Sequence, residues 1–264
     1  MNRASKALWT RRLRYRRRRV RYWRSRGNIG KVNRWLGLVR EAKRRLGLSP
    51  ARVPPPKPRE NLRGIDVSGH NGNIRWKEVK KAGQTYGICK VSEGQDFLDG
   101  SWSRQRVAAM RDARVAVGVY HFLRPKAGRS GAVEMQYFVK HAKAAGWGKP
   151  GDIRPVIDFE ATTLSPVKTL IYLTQAINEL KRLTGKPPII YTGGPFWNEN
   201  TDSCRDNFGC ALWLAAYVQD PQQYLPAAWA KANWTIWQHT ATGKIDGVES
   251  LDVDQNVARF LPLL

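Results

Sequence analysis

Short apolar runs recur through the last three-quarters of this chain. Between several of them, apolar residues repeat every three or four positions instead. The runs read as strands at 64–68 (GIDVS), 86–92 (YGICKVS), 116–123 (AVGVYHFL), 154–160 (RPVIDFE), 188–193 (PIIYTG), 211–217 (ALWLAAY), 234–240 (WTIWQHT) and 251–256 (LDVDQN). They have the length and the β-branched and aromatic content of strands, and Gly, Pro, Asn and Asp punctuate the gaps. The helical period falls at 75–82, 102–113, 131–145 and 166–184, the last opened by Ser165 as a cap and Pro166 at the first helical position. Eight strands alternating with helices predict an α/β fold, a single irregular (β/α) barrel of about eight parallel strands. Helical patterns thin out after residue 184, so the outer helical ring is expected to be incomplete.

The first quarter follows a different pattern. Residues 11–26 are an arginine cluster, with Trp9, Tyr15, Tyr22 and Trp23 in and around it. Residues 31–47 place Val32, Trp35, Leu36, Val39, Ala42 and Leu46 at helical spacing with basic residues on the other side. A proline-rich stretch, SPARVPPPKP, follows and favours an extended backbone. The expected division is a basic arm over 1–48, a linker over 49–61 and a barrel over 62–264.

Charge sharpens that division. The chain of 264 residues carries +25, and 22 of its 46 Lys and Arg but only 2 of its 21 Asp and Glu lie in residues 1–63. The arm therefore points to a polyanionic partner. Anionic membrane or lipopolysaccharide is the leading expectation, because Trp and Tyr suit an interface. Nucleic acid ranks lower, and a solvated basic tail is the plain alternative. No apolar stretch follows the arginines, Arg11 and Arg12 included, so neither a secretory nor a twin-arginine signal is read, and no run reaches membrane-spanning length. Of three cysteines, Cys89 sits in an apolar run, whereas Cys204 and Cys210 bracket a polar loop and could form a disulfide in an oxidising compartment.

The candidate chemistry lies at strand ends. In RPVIDFE, Asp158 and Glu160 are two apart and so share a face, with Phe159 on the other. Two carboxylates at the C-terminal rim of a barrel would couple their protonation, one held as a proton donor while the other stays ionised, which is what cleaving a glycosidic bond requires. The same short pattern also arises where carboxylates pair with cations or cap a helix. Asp66 and Asp254 end two further strands, and Glu93, Tyr120 and His121 end two more. A metal is not expected, because His121 is the only imidazole nearby and a lone strand-end histidine is more often hydrogen-bonded than ligating. Trp197, Trp213, Tyr217 and Trp237 fall at or just after strand ends, where rings could stack on a sugar or simply fill the core.

In order, GIDVSGHNG, KVSEG, GVYHF, PVIDFE, IIYTG, LWLAAY, WTIWQHT and VDQN resemble the motifs of glycoside hydrolase family 25, the Chalaropsis-type lysozymes, over about residues 62–260. The resemblance implies an irregular β/α barrel without a cofactor. It also implies cleavage of the β-1,4 bond between N-acetylmuramic acid and N-acetylglucosamine in peptidoglycan, by a monomer. It makes Glu160 the general acid, with Asp158 as nucleophile or as the group that orients the substrate's 2-acetamido group, and with Asp66 and Asp254 completing an acidic pocket. Glu93, Tyr120, His121, Tyr191, Trp213, Tyr217, Trp237 and Gln238 become the expected substrate contacts. VDQN fits the closing motif better than the nearby Asp246 does. Such an enzyme without an export signal fits a phage-type lysin. The competing expectation is a catalytically inactive wall-binding or polyanion-binding protein on the same barrel.

Overall fold

In the computed structural model, Thr10 and residues 62–100 and 102–264 are described. The expected helix at 31–47 and the proline-rich linker lie outside the described residues. The chain divides into two units, Met1–Pro55 and Pro56–Leu264. Thr10 aside, every described residue belongs to the second.

Among the described residues, nine strands and five α-helices follow in the order β1 (Leu62–Val67), α1 (Trp76–Lys81), β2 (Tyr86–Glu93), β3 (Phe97–Leu98), α2 (Trp102–Asp112), β4 (Ala116–Phe122), α3 (Gly131–Ala144), β5 (Val156–Asp158), α4 (Pro166–Thr184), β6 (Ile189–Thr192), α5 (Gly194–Asn200), β7 (Ala211–Ala215), β8 (Ile236–Gly243) and β9 (Val253–Ala258). Eight strands close into a barrel, because β1 pairs with β2 on one side and with β9 on the other. β3 hangs on the end of β2 as a two-residue antiparallel addition.

The expectation of an all-parallel barrel needs correcting. β1, β2 and β4 through β8 run parallel, but β9 is antiparallel to both of its neighbours. The physical reason is the connection from β8 to β9. It contains no helix to carry the chain back across the barrel, and without such a crossover consecutive strands pair antiparallel. The missing helices after β7 also leave the outer ring incomplete.

The longest helix among the described residues shows how local sequence sets the layers. α4 starts at Pro166 behind Ser165 and ends at Gly185, whose φ of 76° is the left-handed turn that glycine adopts without strain. Its buried residues Thr169, Tyr172, Leu173, Ala176, Ile177 and Leu180 follow the helical repeat. They pack near α3, where a side chain on Gly131 would run into the Tyr172 carbonyl oxygen. Only glycine permits that approach.

Along each strand, alternate residues part company. Ile65, Val67, Cys89, Val91, Val117, Val119, Ile157, Phe159, Ile190, Leu212 and Leu214 join the helices in the outer core. Tyr86, Ile88, Val156, Ile189, Tyr191, Trp213, Ile236 and Ala258 pack on one another inside the barrel. Interior positions become polar toward one end. Gly64 is followed by Asp66, Ile88 by Lys90, Val156 by Asp158, and Ile236 by Gln238. β9 runs the other way and presents Asp254 and Asn256 before Ala258. All of these polar residues meet at the C-terminal mouth of the parallel strands.

Candidate active site

A cleft of about 420 Å³ opens at that mouth, lined by residues from all eight barrel strands or the segments just beyond them. Asp158 closes β5 and is buried, and Glu160, two residues on, reaches the cleft as an exposed side chain. Phe159 points outward against Phe196 and Trp197. Burial first, and then the charges of Glu160 and Asp66, push the Asp158 carboxyl well above the ordinary range. No protein group among the described residues donates to its Oδ1. Glu160 is also raised, because the cleft walls strip water from its carboxyl although the residue as a whole is exposed, with Arg124 and Lys90 opposing the rise. The two carboxyls titrate as a pair, and the deeper one, Asp158, holds the shared proton more firmly in the free protein.

Asp66 lies directly across the β1–β9 ladder from Asp254. Its Oδ2 accepts hydrogen bonds from Gln238 Nε2 at 3.0 Å and Asn256 Nδ2 at 2.7 Å. Gln238 Oε1 in turn accepts from the hydroxyls of Tyr191 at 2.8 Å and Tyr217 at 2.7 Å, and Asn256 Oδ1 accepts from Trp213 Nε1 at 2.7 Å. Three aromatic side chains are thus tied through two amides to one carboxylate. Burial, with Asp254 next, raises Asp66 to about 8. Burial, with Glu160 next, raises Asp254 to about 6.

The opposite wall is cationic. Lys90 Nζ donates to Glu93 Oε2 at 2.7 Å, and Arg124 Nε donates to Glu93 Oε1 at 2.6 Å, with Arg124 Nη2 ion-paired to the same oxygen. Burial alone would raise Glu93, but these bonds outweigh it and hold the carboxyl below the usual range. The Arg124 guanidinium lies over the Phe122 ring at 4.2 Å, and Lys90 sits 5.2 Å from the same ring and 5.4 Å from the exposed Phe97. Lys90 and Glu93 are three apart, so a regular strand would point them to opposite faces. The β2–β4 register shifts between Lys90 and Ser92, and this irregularity brings both to the cleft.

The cleft gathers Asp66, Asp158, Glu160, Asp254, Glu93, Tyr120, Tyr191, Trp213, Tyr217 and Gln238 from the expected set. Two expected contacts do not line it. His121 is fully buried on the outer side of β4, where Ser92 and Glu134 bind its two ring nitrogens. Trp237 donates its Nε1 to the Ala216 carbonyl and packs against Trp234 and His239. Trp197 likewise belongs to the outer core, edge-on to Trp229. Cys204 and Cys210 are free thiols rather than a disulfide. Cys204 Sγ turns to the Asp206 carbonyl, and burial raises the Cys210 thiol to about 12.

Five lining residues went unpredicted: Ser68, His70, Lys90, Phe122 and Arg124. A lysine inside the apolar run YGICKVS was the available signal for the first cation of that wall. Ser68 and His70 lie on the loop after β1. It is held by Asp99, which accepts from the Gly69 N–H, and by Arg106, which donates to the Gly72 carbonyl.

A closed barrel with paired carboxylates, aromatic faces and a cationic wall at one mouth is the arrangement of a glycoside hydrolase. The chain belongs to one such family: the model for glycosyl hydrolases family 25 matches residues 65–248. It is 29% identical over 255 residues to Lysozyme M1 of Streptomyces globisporus, a match covering 89% of this chain and 83% of that one. Among solved structures, the bacterial lysozyme from Streptomyces coelicolor superposes with a TM-score of 0.67 at 31% identity, covering 75% of this chain and 91% of its own. The family GH25 lysozyme from Aspergillus fumigatus gives 0.66 at 27% identity, covering 75% and 93%.

Proposed function

We propose that this protein is a lysozyme that hydrolyses the β-1,4 bond between N-acetylmuramic acid and N-acetylglucosamine in peptidoglycan, with Glu160 as the proton donor. The observation that carries the reading is the Asp158–Glu160 pair, one carboxyl deep and one reaching into the cleft, both raised by burial. A carboxyl that holds its proton more firmly than usual is suited to donate it to the leaving oxygen. Asp158 Oδ1 offers a buried acceptor with no donor among the described residues, which supports its role as the group that receives the 2-acetamido N–H of the substrate. Accepting that bond would favour the ionised form of Asp158 and leave the shared proton on Glu160. Asp66 and Asp254 hold the sugar from the facing strands, and Tyr191, Trp213 and Tyr217 offer it aromatic surface.

Incubation with a cell-wall suspension, followed by loss of turbidity and mass analysis of the released reducing ends, tests this directly. Muramic reducing ends support the reading. Wall binding without new reducing ends would support an inactive wall-binding protein instead. The enzyme acts as a monomer at the bacterial wall, and the basic arm over 1–48 adds affinity for anionic membrane or lipopolysaccharide. Among the described residues, no helix is long and apolar enough to cross a membrane.

A further inference from the structure

Behind the cationic wall lies a chain of buried polar groups that the acid chemistry of Glu160 does not use. Ser92, His121 and Glu134 are each fully buried. His121 Nδ1 lies 2.9 Å from Ser92 Oγ, and Nε2 lies 2.8 Å from Glu134 Oε2. The same Glu134 oxygen accepts the Arg124 backbone N–H at 3.1 Å, and Tyr172 donates its hydroxyl to Glu134 Oε1. Glu134 is the acceptor throughout, so His121 carries its proton on Nε2 and the Ser92 hydroxyl donates to Nδ1. Burial lowers the imidazole, which is neutral in this setting.

The path then closes on itself. Arg124 reaches with its guanidinium to Glu93, and Glu93 follows Ser92 in β2. The end of β2, the end of β4 and helix α3 are joined in one ring, half inside the protein and half on the cleft wall. We propose that Ser92, His121 and Glu134 form a buried positioning relay that fixes Arg124, and with it Glu93 and Lys90, beside Glu160. The relay rests on the lysozyme reading. When Glu160 gives up its proton, the new carboxylate lies near two cations that are already in place, so no reorganisation is needed at that moment.

The test is a double-mutant cycle in the full-length protein, on a soluble tetrasaccharide of alternating N-acetylglucosamine and N-acetylmuramic acid. Arg124→Gln and His121→Phe should each lower kcat by about 10- to 100-fold, the range expected when a catalytic wall is misplaced. Groups acting through one another are not additive, so the double variant should be no slower than Arg124→Gln alone. The basic limb of the His121→Phe profile should move to higher pH, because the cations that oppose protonation of Glu160 have drifted. The other groups facing Glu160 are unchanged by the variant: Asp158 on β5, Asp66 on β1, Asp254 on β9, Tyr191 on β6 and Tyr217 beyond β7. His121→Gln, which can still donate to Glu134, should recover part of the rate. If His121→Phe does not fold, Ser92→Ala at the far end of the relay enters the same cycle. Independently of turnover, the Arg124 Nε–H resonance should exchange with water faster in the relay variants than in the wild type. Additive losses, an unmoved basic limb or unchanged Arg124 exchange would overturn the relay. An inactive wild type would remove the lysozyme reading, and the exchange measurement would still decide the relay.

Discussion

Asp66 and Asp254 stand directly opposite one another in the antiparallel β1–β9 ladder, at the point where the barrel closes. Like charges at such a position disfavour the sheet. Burial and mutual repulsion hold Asp66 up to about 8, while Gln238 and Asn256 bind the oxygen that would otherwise be left without a partner. The reversal of β9 is what makes the arrangement possible. It brings the start of a strand, not its end, to the mouth of the barrel.

This pairing should work against stability. Asp66 takes up a proton more readily when folded than in the unfolded chain, where its carboxyl titrates at the ordinary 3.8. The folded state thus binds more protons between about pH 4 and 8, and stability falls as pH rises through that window. Asp66→Asn keeps an acceptor for Gln238 and Asn256 but has no charge to bury. It should be more stable than the wild type at pH 8, by on the order of 1–3 kcal/mol, and the difference should shrink toward pH 4. Activity should fall at the same time. Thermal unfolding from pH 4 to 9 measures this, and melting temperatures that coincide at every pH would refute it.

The short apolar runs located the eight barrel strands to within a few residues, because each strand faces a largely dry interior on one side and a dry helix layer on the other. It also placed Asp158 and Glu160 together at a rim. Three things were hidden. The direction of β9 depends on a connection without a helix, which strand periodicity does not report. The β2 irregularity shifts the face of Glu93 relative to Lys90, and nothing in KVSEG marks it. His121 follows Tyr120 in GVYHF, and two neighbours in a strand cannot both face the cleft. The sequence left open which of the two does, and the structure turns Tyr120 inward. Trp197 and Trp237 show the same limit, since a tryptophan near a strand end serves core and rim alike.

The cysteines give a second expected outcome. Cys204 and Cys210 are unpaired, and burial raises both thiols, Cys210 to about 12. The reactive thiolate is therefore scarce at neutral pH. Reductant should leave the melting temperature unchanged, and a thiol reagent should label these positions slowly until denaturant is added. A drop in melting temperature on reduction would mean that a bridge forms in solution.

The arm gives a third. β1 begins at Leu62 and is hydrogen-bonded on both sides, so the barrel closes without earlier residues. Deleting residues 1–60 should leave a folded enzyme with near-full activity on purified peptidoglycan. Binding to anionic vesicles or lipopolysaccharide should weaken, and added salt should weaken the intact protein in the same way, because exposed charges are screened. Loss of folding on deletion would show that the barrel needs the arm. Salt-independent binding by the full chain would remove the electrostatic account.

The last outcome concerns the paired carboxyls of β5. Glu160→Gln keeps the shape and removes the proton donor, so the rate should fall by about 100- to 10,000-fold, the usual range for a general acid. Asp158→Asn should also be slow, because the carboxylate proposed to receive the acetamido group is gone. Its residual activity carries the sharper test. In the wild type, the last proton leaves a pair in which two neighbouring charges result, so it leaves at raised pH. In Asp158→Asn that proton leaves Glu160 without the Asp158 charge beside it. The basic limb of the pH–rate profile should then move to lower pH, the opposite of the shift expected for His121→Phe. Arg124 and Lys90 still favour the ionised Glu160 in this variant, which reinforces the direction. Both carboxyl variants should go on binding peptidoglycan, since the Tyr191, Trp213 and Tyr217 surface is intact. Near-normal turnover by Glu160→Gln would sink the assignment of the acid, and a basic limb unmoved in Asp158→Asn would sink the coupling between the two.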